Sequence, residues 1–156
     1  MTPSELTALA FTAFEVDAAT APATSLRAGD QLDDYEEPGP YDPDIDKVSD
    51  AYLEAFPWGI SHLDPASWRH YLPHLIDYVV RHCGQGTHVG EATISSLRPP
   101  DRDPPRLASL TPAQETAVTL FLEFLAFSDE SAHQGTACQA IDEWWSPAAM
   151  YRPTPL

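Results

Sequence analysis

A helical pattern with an unusually wide apolar face lies in LTPAQETAVTLFLEFLAF, residues 110–127. On a helical wheel at about 100° per residue, its apolar side chains cover roughly 220°. The remaining polar strip is narrow and consists of Glu115, Thr116, Thr119 and Glu123. A helix on the surface of a domain needs a much narrower apolar face. We therefore predict that this segment is the central and mostly enclosed helix of a small domain.

Three segments share a signal for a helix start, in which a capping side chain is followed by proline: Thr2-Pro3, Asp64-Pro65 and Thr111-Pro112. After the first two starts, apolar residues recur at helical spacing and predict helices from residue 3 to about 19 and from 65 to 83. Pro73 lies inside the second helix, and we expect it to bend or divide that helix because proline removes a backbone donor. The agreement among the three starts indicates an all-α fold.

Two further helices are predicted from shorter apolar patterns. One begins near residue 43 or 44 and ends before Pro57, and the last helix of the chain runs from about residue 136 to 145. Residues 91–97 predict one or two helical turns, with a short strand as the alternative. The prolines between residues 99 and 105 indicate an irregular connection.

The length of 156 residues fits one domain with a substantial core. We predict that residues 1–150 form a single, irregular bundle of about five helices, and that residues 151–156 form an extended tail. The main interruption is residues 20–43, which predict an acidic loop or extended insertion. Four helix-breaking residues cluster there: Pro38, Gly39, Pro40 and Pro43. A loop of this length inside a compact domain is usually functional or poorly ordered.

The charge of the chain is strongly unbalanced, because 24 acids and 8 bases give a formal net charge of −16. Such a surface repels phosphate backbones and anionic lipids, so nucleic acid and membranes are not expected as partners. A basic protein or a cation is the complementary partner. The chain lacks the basic region of a signal peptide and an apolar run of about 20 residues, and we expect a cytoplasmic protein with Cys83 and Cys138 reduced.

The acids concentrate between residues 30 and 54, where ten carboxylates accompany a single lysine. One interpretation is a solvated segment that improves solubility. The other is a docking surface on which carboxylates attract a basic partner and tyrosines supply contact area. For that surface we predict these partner-binding residues: Asp33, Asp34, Tyr35, Glu36, Glu37, Tyr41, Asp42, Asp44 and Asp46. Weak cation binding by the same acids is a further alternative, although their spacing does not match a calcium-binding EF-hand loop.

A possible metal site is indicated by His70 and His74, which stand four residues apart on the third predicted helix. Two imidazoles at that spacing can share a metal ion, with Asp77 or His62 as a third ligand. The HExxH motif is absent, and Pro73 disturbs the helix geometry. The simpler interpretation is therefore that these histidines are solvated on the polar face of the helix. No metal and no cofactor are predicted.

The block WGISHLDPASWRHYLPHLIDYVV is followed by RLASLTPAQETAVTLFLEFLA and a late WW. This arrangement resembles a small bacterial family, domain of unknown function 6714, over roughly residues 52 to 145. The resemblance implies a bacterial, cytoplasmic and mainly helical protein. It implies no established activity, so no catalytic residue can be assigned from it. Small acidic bacterial proteins of this kind are often immunity or inhibitor proteins, by analogy of size and charge alone.

Three hypotheses follow from the sequence. The first is a non-enzymatic interaction module, such as an immunity, antitoxin or regulatory protein, that binds a basic partner through the acidic segment. The second is a metal-dependent enzyme that uses His70, His74 and Asp77. The third is a structural subunit that self-associates through exposed aromatic side chains. The sequence favours the first and does not determine the oligomeric state.

Overall fold

The computed structural model describes residues 1–153, and this part of the chain forms helices, turns and irregular segments without a β-strand. The all-α prediction is therefore confirmed. In chain order the elements are α1 (Pro3–Ala13), α2 (Glu15–Ala19), α3 (Leu26–Asp33), α4 (Asp50–Ala55), a 3-10 helix (Pro57–His62), α5 (Pro65–Arg81), α6 (His88–Ser96), α7 (Pro105–Ala108), α8 (Pro112–Phe127), α9 (Gln134–Ala140) and a π-helical turn (Ile141–Trp145). These elements are more numerous and shorter than the five predicted helices.

The three predicted helix starts are present and are closed by side-chain hydrogen bonds. At α8 the Thr111 hydroxyl accepts the N–H of Gln114 at 3.2 Å, and the Gln114 side-chain oxygen accepts the N–H of Thr111 at 3.0 Å. Thr2 forms the same reciprocal capping box at α1. Asp64 caps α5 by accepting the N–H of Ser67 at 3.1 Å. These bonds satisfy backbone donors that a helix start otherwise leaves unpaired.

The most enclosed helix is α5 rather than α8, so the prediction of a central helix over residues 110–127 needs correction. Helix α5 packs against α1, α2, α6, α7 and α8. Its buried residues lie on all sides: Ser67, Trp68, His70, Tyr71, Leu72, Pro73, Leu75, Ile76, Tyr78, Val79 and Val80. Helix α8 instead buries one face and leaves Phe127 76% exposed. The width of an apolar pattern did not reveal how many neighbours cover the helix.

Pro73 does not divide α5, which continues as one helix from Pro65 to Arg81. Among the two effects that the sequence predicted for this proline, division of the helix is wrong. The first predicted helix is interrupted elsewhere, at Phe14, which separates α1 from α2 and is fully buried. Phe14 continues the buried face of Leu6 and Ala10, so the break leaves this aromatic side chain in the core.

The acidic insertion predicted over residues 20–43 contains a helix, α3, and the prediction of a continuous loop is therefore wrong. Ser25 caps α3 by accepting the N–H of Ala28 at 3.0 Å. The sequence LRAGDQLD did not predict a helix because it is short and includes glycine and two aspartates, which have low helix propensity. Gly29 allows α3 to cross the 3-10 helix at Gly59, since a Cβ on either glycine would meet the backbone of the other element.

The second predicted helix begins later than expected, at Asp50 instead of residue 43 or 44. Residues 42–46 form a turn in which Asp42 Oδ1 accepts the backbone N–H of Asp44 at 2.9 Å and of Ile45 at 3.3 Å. Aspartate favours such turns because its side chain replaces the backbone as an acceptor. The apolar Ile45 that suggested a longer helix is 59% exposed.

The C-terminal third matches the prediction more closely. Helix α9 and the π-helical turn cover the last predicted helix, and Trp144 and Trp145 are both buried. The predicted extended tail begins with a turn at residues 151 and 152, where the N–H of Tyr151 donates to the carbonyl of Glu143 at 3.0 Å and Arg152 Nη2 lies 2.8 Å from a carboxylate oxygen of Glu115. The remaining tail residues, 154–156, lie outside the described residues.

Within residues 1–153, no helix combines the length and apolar content needed to cross a membrane.

Candidate functional site

The end of α3 presents a fully exposed aromatic side chain in an unusual backbone conformation. Tyr35 has a φ of 59° and is 99% exposed. The N–H of Glu36 donates to the carbonyl of Gln31 at 2.8 Å, and the N–H of Tyr35 donates to the carbonyl of Leu32 at 3.1 Å. These two bonds define a Schellman motif, with Tyr35 at the position that glycine usually occupies. Left-handed backbone costs a residue with a Cβ roughly 1–2 kcal/mol.

Exposed carboxylates surround this tyrosine on both sides. Asp34, Glu36 and Glu37 are exposed. Asp33 is also exposed, and its carboxylate lies 3.0 Å from Nε2 of His62 in the 3-10 helix. Burial, and then the carboxylates of Asp34 and Asp33, raise the pKa of Asp30 above its ordinary value. We call residues 31–37 the acidic turn, and its negative charge is concentrated enough to affect a neighbouring group.

The acidic turn is held in place by bonds to the segment that follows it. The side-chain oxygen of Gln31 accepts the N–H of Gly39 at 2.8 Å. Arg27 Nη2 donates to the carbonyl of Pro40 at 3.0 Å. Hydrogen bonds therefore hold the acidic turn in place. The sequence prediction of an acidic loop left open whether that loop is ordered.

Asp46 was predicted as a partner-binding residue, and the structure places it in the interior instead. It is 2% exposed. Its two oxygens lie 3.0 Å from Nε and Nη2 of Arg27, and it also accepts the Tyr52 hydroxyl at 2.8 Å. Burial alone would raise the pKa of Asp46, but the hydrogen bonds from Arg27, the Asp42 N–H and Tyr52 outweigh burial and keep this pKa below its ordinary value.

The other predicted partner-binding residues divide between surface and support. Asp44 is exposed, whereas Tyr41 and Asp42 are half-buried. The N–H of Asp42 donates to Asp46 at 2.8 Å, and its carboxylate caps the turn of residues 42–46. The exposed part of the predicted site therefore consists of residues 33–37 and Asp44, whereas Asp42 and Asp46 stabilise the fold.

The histidines of α5 do not lie on a solvated face. His70 is 8% exposed, and its Nδ1 lies 3.1 Å from the carbonyl oxygen of Asp17. His74 packs edge-on against Phe11, with ring centroids 5.0 Å apart. Burial, and then the neighbouring His70, lower the pKa of His74 below its ordinary value, which favours the neutral ring.

These residues do not gather into a metal centre in the part of the chain that the structure describes. No group of three or more His, Cys, Asp or Glu side chains there is arranged to hold a metal ion. The rings of His70 and His74 are 6.4 Å apart, and His62 pairs with Asp33 instead of approaching them. Asp77 forms an ion pair with Arg81 at 3.2 Å.

A pocket that sequence reasoning missed lies between the 3-10 helix, α6 and α7. Its volume is about 550 Å³, within the size range of small-molecule sites. The exposed Trp58 lines the pocket and packs against His88, with ring centroids 5.1 Å apart. The sequence signal was the accumulation of prolines between residues 99 and 105, which indicated only an irregular connection. Its walls come from two separate stretches of the chain, residues 57–61 and 91–107, so no local pattern predicts it.

Comparisons with known proteins place the chain in a family without assigning an activity. No curated protein and no solved structure matches it. The match to a family model extends over residues 2–149 and therefore includes both the acidic turn and the pocket. It also extends well beyond residues 52 to 145, where the sequence resemblance was noted. The chain belongs to the family of unknown function DUF6714.

Proposed function

We propose that this protein is a non-enzymatic, cytoplasmic interaction module that binds a basic protein partner through the acidic turn. The observation that supports the proposal most is Tyr35, a bulky side chain that is 99% exposed in a left-handed backbone conformation. Strain of this kind clusters at binding and catalytic sites. An exposed tyrosine between carboxylates offers a partner both contact area and charge.

The geometry of the turn supports binding rather than mere solubility. A segment that served only to keep the protein soluble would not need a fixed backbone. The Schellman bonds and the bond from Gly39 to Gln31 hold the turn in one conformation. A partner that binds a pre-organised surface loses less conformational entropy on association. The surrounding carboxylates would also increase the association rate of a basic partner.

The alternative of a metal-dependent enzyme has weaker support. It requires His70 and His74 to be accessible to a metal ion, and His70 is buried against Asp17. An immunity, antitoxin or inhibitor role is the form of interaction that best suits a small protein with a net charge of −16. Bacterial origin and cytoplasmic location are parts of this proposal.

The test is capture of a partner from an extract of the source organism, with three forms of the tagged protein. The first is wild type. The second is the triple variant D34N/E36Q/E37Q, which removes three charges from the acidic turn. The third is the matched control E123Q/D129N/E130Q, which removes three charges from exposed residues at the end of α8 and the turn after it.

We expect a basic protein to be recovered with wild type and with the α8 control, and to be lost with the acidic-turn variant. Added salt should weaken recovery, because exposed charges are screened. Equal loss with both triple variants would mean that net charge alone is responsible, and would overturn the proposed site. Recovery that is unaffected by the acidic-turn variant would overturn it as well.

A further inference from the structure

The pocket between the 3-10 helix, α6 and α7 is lined mainly by apolar side chains. The 3-10 helix contributes Pro57, Trp58 and Ile60, and Pro100 and Leu107 also line the pocket. At about 550 Å³ it is large enough for a ring system or a short alkyl chain. Burial of such a group would remove apolar surface of both pocket and ligand from water, which favours binding. The walls therefore select a ligand with an apolar body.

The pocket also includes a cationic side chain whose direct hydrogen-bond partners are backbone carbonyls. Arg106 lines it, and no carboxylate of residues 1–153 forms an ion pair with this side chain. Its Nε donates to the carbonyl of Leu63 at 3.0 Å, and its Nη2 donates to those of Ile60 and Ser61 at 3.0 and 2.9 Å. Nη1 has no partner among the described residues.

Arg106 is unusual in this chain because acids outnumber bases 24 to 8. The other arginines with restricted exposure all form ion pairs: Arg27, Arg69, Arg98 and Arg152. Burial lowers the pKa of Arg106 below its ordinary value, yet a guanidinium remains ionised in proteins. The carboxylate of Asp64 opposes this effect of burial but forms no ion pair with Arg106, so an anion in the pocket would supply the direct charged contact that Arg106 lacks among the described residues.

A second guanidinium lines the same pocket. Arg98 binds Glu143 through Nε at 2.9 Å and Nη2 at 2.6 Å, which leaves its Nη1 without a partner in the described part of the chain. Glu143 reduces the net charge that Arg98 contributes. Glu91 is the acid that lines the pocket, and it is exposed and lies 3.5 Å from Nδ1 of His88. The arginines are thus fixed by their anchoring bonds, and the opposing acid is solvated.

We propose that this pocket binds a small organic carboxylate, with its apolar body against Trp58 and Ile60 and its carboxylate at the guanidinium groups of Arg106 and Arg98. A guanidinium that is already anchored loses little conformational entropy when it binds a carboxylate. The combination of one apolar cavity and cationic donors at its wall excludes cationic ligands and disfavours wholly polar ones. The proposal goes beyond the proposed function and does not depend on the acidic turn.

The first experiment compares 2-naphthoate with 2-naphthamide by titration calorimetry on the full-length protein. The two probes have the same apolar body and differ in charge. We expect naphthoate to bind at least about tenfold more tightly, which corresponds to about one charged hydrogen bond. Equal affinity of the two probes, or no binding of either, would overturn the proposal.

Variants then locate the site. Ser95 is exposed, belongs to α6 and lines the pocket, so Ser95→Trp should obstruct it and abolish naphthoate binding. Gln139→Trp, at an exposed position of α9, is the matched control and should bind as wild type does. Glu91→Gln removes the opposing charge and should tighten binding severalfold. Retained affinity in Ser95→Trp would place the probe elsewhere and overturn the assignment.

The contribution of the arginines is measured with three substitutions. Arg106→Met removes charge but also the bonds to three carbonyls, so it is accompanied by Arg106→Lys, which preserves the charge. Arg98→Met removes the second cation. We expect at least about tenfold weaker naphthoate binding in Arg98→Met or Arg106→Met, with partial recovery in Arg106→Lys. Circular dichroism verifies that each variant is folded, and unchanged affinity in both folded Met variants would contradict the proposal.

Discussion

Two parts of one acidic segment have opposite roles in this structure. In the acidic turn, residues 31–37, the carboxylates of Asp34, Glu36 and Glu37 are exposed to solvent. A few residues later Asp46 is buried and binds Arg27 and Tyr52. Both parts are rich in acidic residues. They differ because a basic side chain and a hydroxyl bind the carboxylate of Asp46, whereas the three carboxylates of the acidic turn are exposed to solvent. The burial of each acid in such a segment therefore has to be known before a binding role is assigned to it.

The largest effect should come from the buried part. Asp46→Asn leaves Arg27 without its counter-ion, and loss of one member of a buried ion pair costs about 3–5 kcal/mol in free energy of unfolding. Urea denaturation measures this cost. Asp44→Asn, at an exposed position two residues away, is the control and should change stability by less than about 0.5 kcal/mol. Similar costs for the two variants would mean that Asp46 is not the structural acid of this segment.

The next largest effect on stability concerns α3, which contains Arg27 and the first residues of the acidic turn. Gly29→Ala places a Cβ against the backbone of Gly59 at the crossing with the 3-10 helix, and we expect a loss of about 1–3 kcal/mol. Gly135→Ala, also in a helix but with no atom within 4 Å of the added Cβ, should be neutral or stabilising. Thermal denaturation of both variants measures these changes in stability. A stabilised Gly29→Ala protein would show that α3 and the 3-10 helix do not pack closely at this crossing.

Low pH should reduce the stability of the folded protein by a smaller amount. The pKa of Asp46 is lower in the folded protein than its ordinary value of about 3.9, so its contribution is complete above that value and is lost as the pH falls through the folded pKa. Asp50 behaves in the same way, because its hydrogen bonds with Arg81 lower its pKa to about 2. Stability should therefore decline below about pH 4.

The comparison of wild type with Asp46→Asn isolates the part of this decline that belongs to Asp46. We expect the two unfolding free energies to converge as the pH falls from about 4 toward 2. Denaturation at a series of pH values measures the difference between them. A difference that stays constant over that range would show that Asp46 does not titrate with folding.

The smallest effect on stability concerns Tyr35. Replacement by glycine relieves the left-handed strain but increases the flexibility of the unfolded chain, so Tyr35→Gly should be more stable than Tyr35→Ala by about 1 kcal/mol. Tyr35→Ala retains a Cβ and is the matched control, since both variants remove the exposed ring. Denaturation midpoints give the difference. A less stable glycine variant would contradict the strain that we assign to this residue.

Sequence reasoning identified the helical class because helix starts are local. The caps at Thr2, Asp64 and Thr111 depend on residues within three positions, and each of them forms the expected bond. It did not identify α3, because that helix depends on contacts with the 3-10 helix that lies more than twenty residues later in the chain. Local propensity is a weak guide wherever packing between distant segments decides the structure.

The candidate site was predicted in part for the same reason. Exposed acids and Tyr35 were found from composition alone, whereas the burial of Asp46 depends on Arg27, nineteen residues earlier. His70 was expected on a solvated face, and its burial depends on Asp17, fifty-three residues earlier. The pocket at Arg106 combines residues 57–61 with residues 91–107, which begin thirty positions later in the chain. Each of these features results from long-range packing that a single sequence does not display.

The central claim is that the acidic turn is a docking surface and Asp46 is not part of it. Capture of a basic partner by the folded Tyr35→Gly protein tests this claim most directly, because this substitution removes the exposed ring without a cost in stability relative to Tyr35→Ala. We predict that recovery of the partner falls at least about tenfold relative to wild type, as expected for loss of an exposed aromatic contact. Undiminished recovery by a folded Tyr35→Gly protein would contradict it.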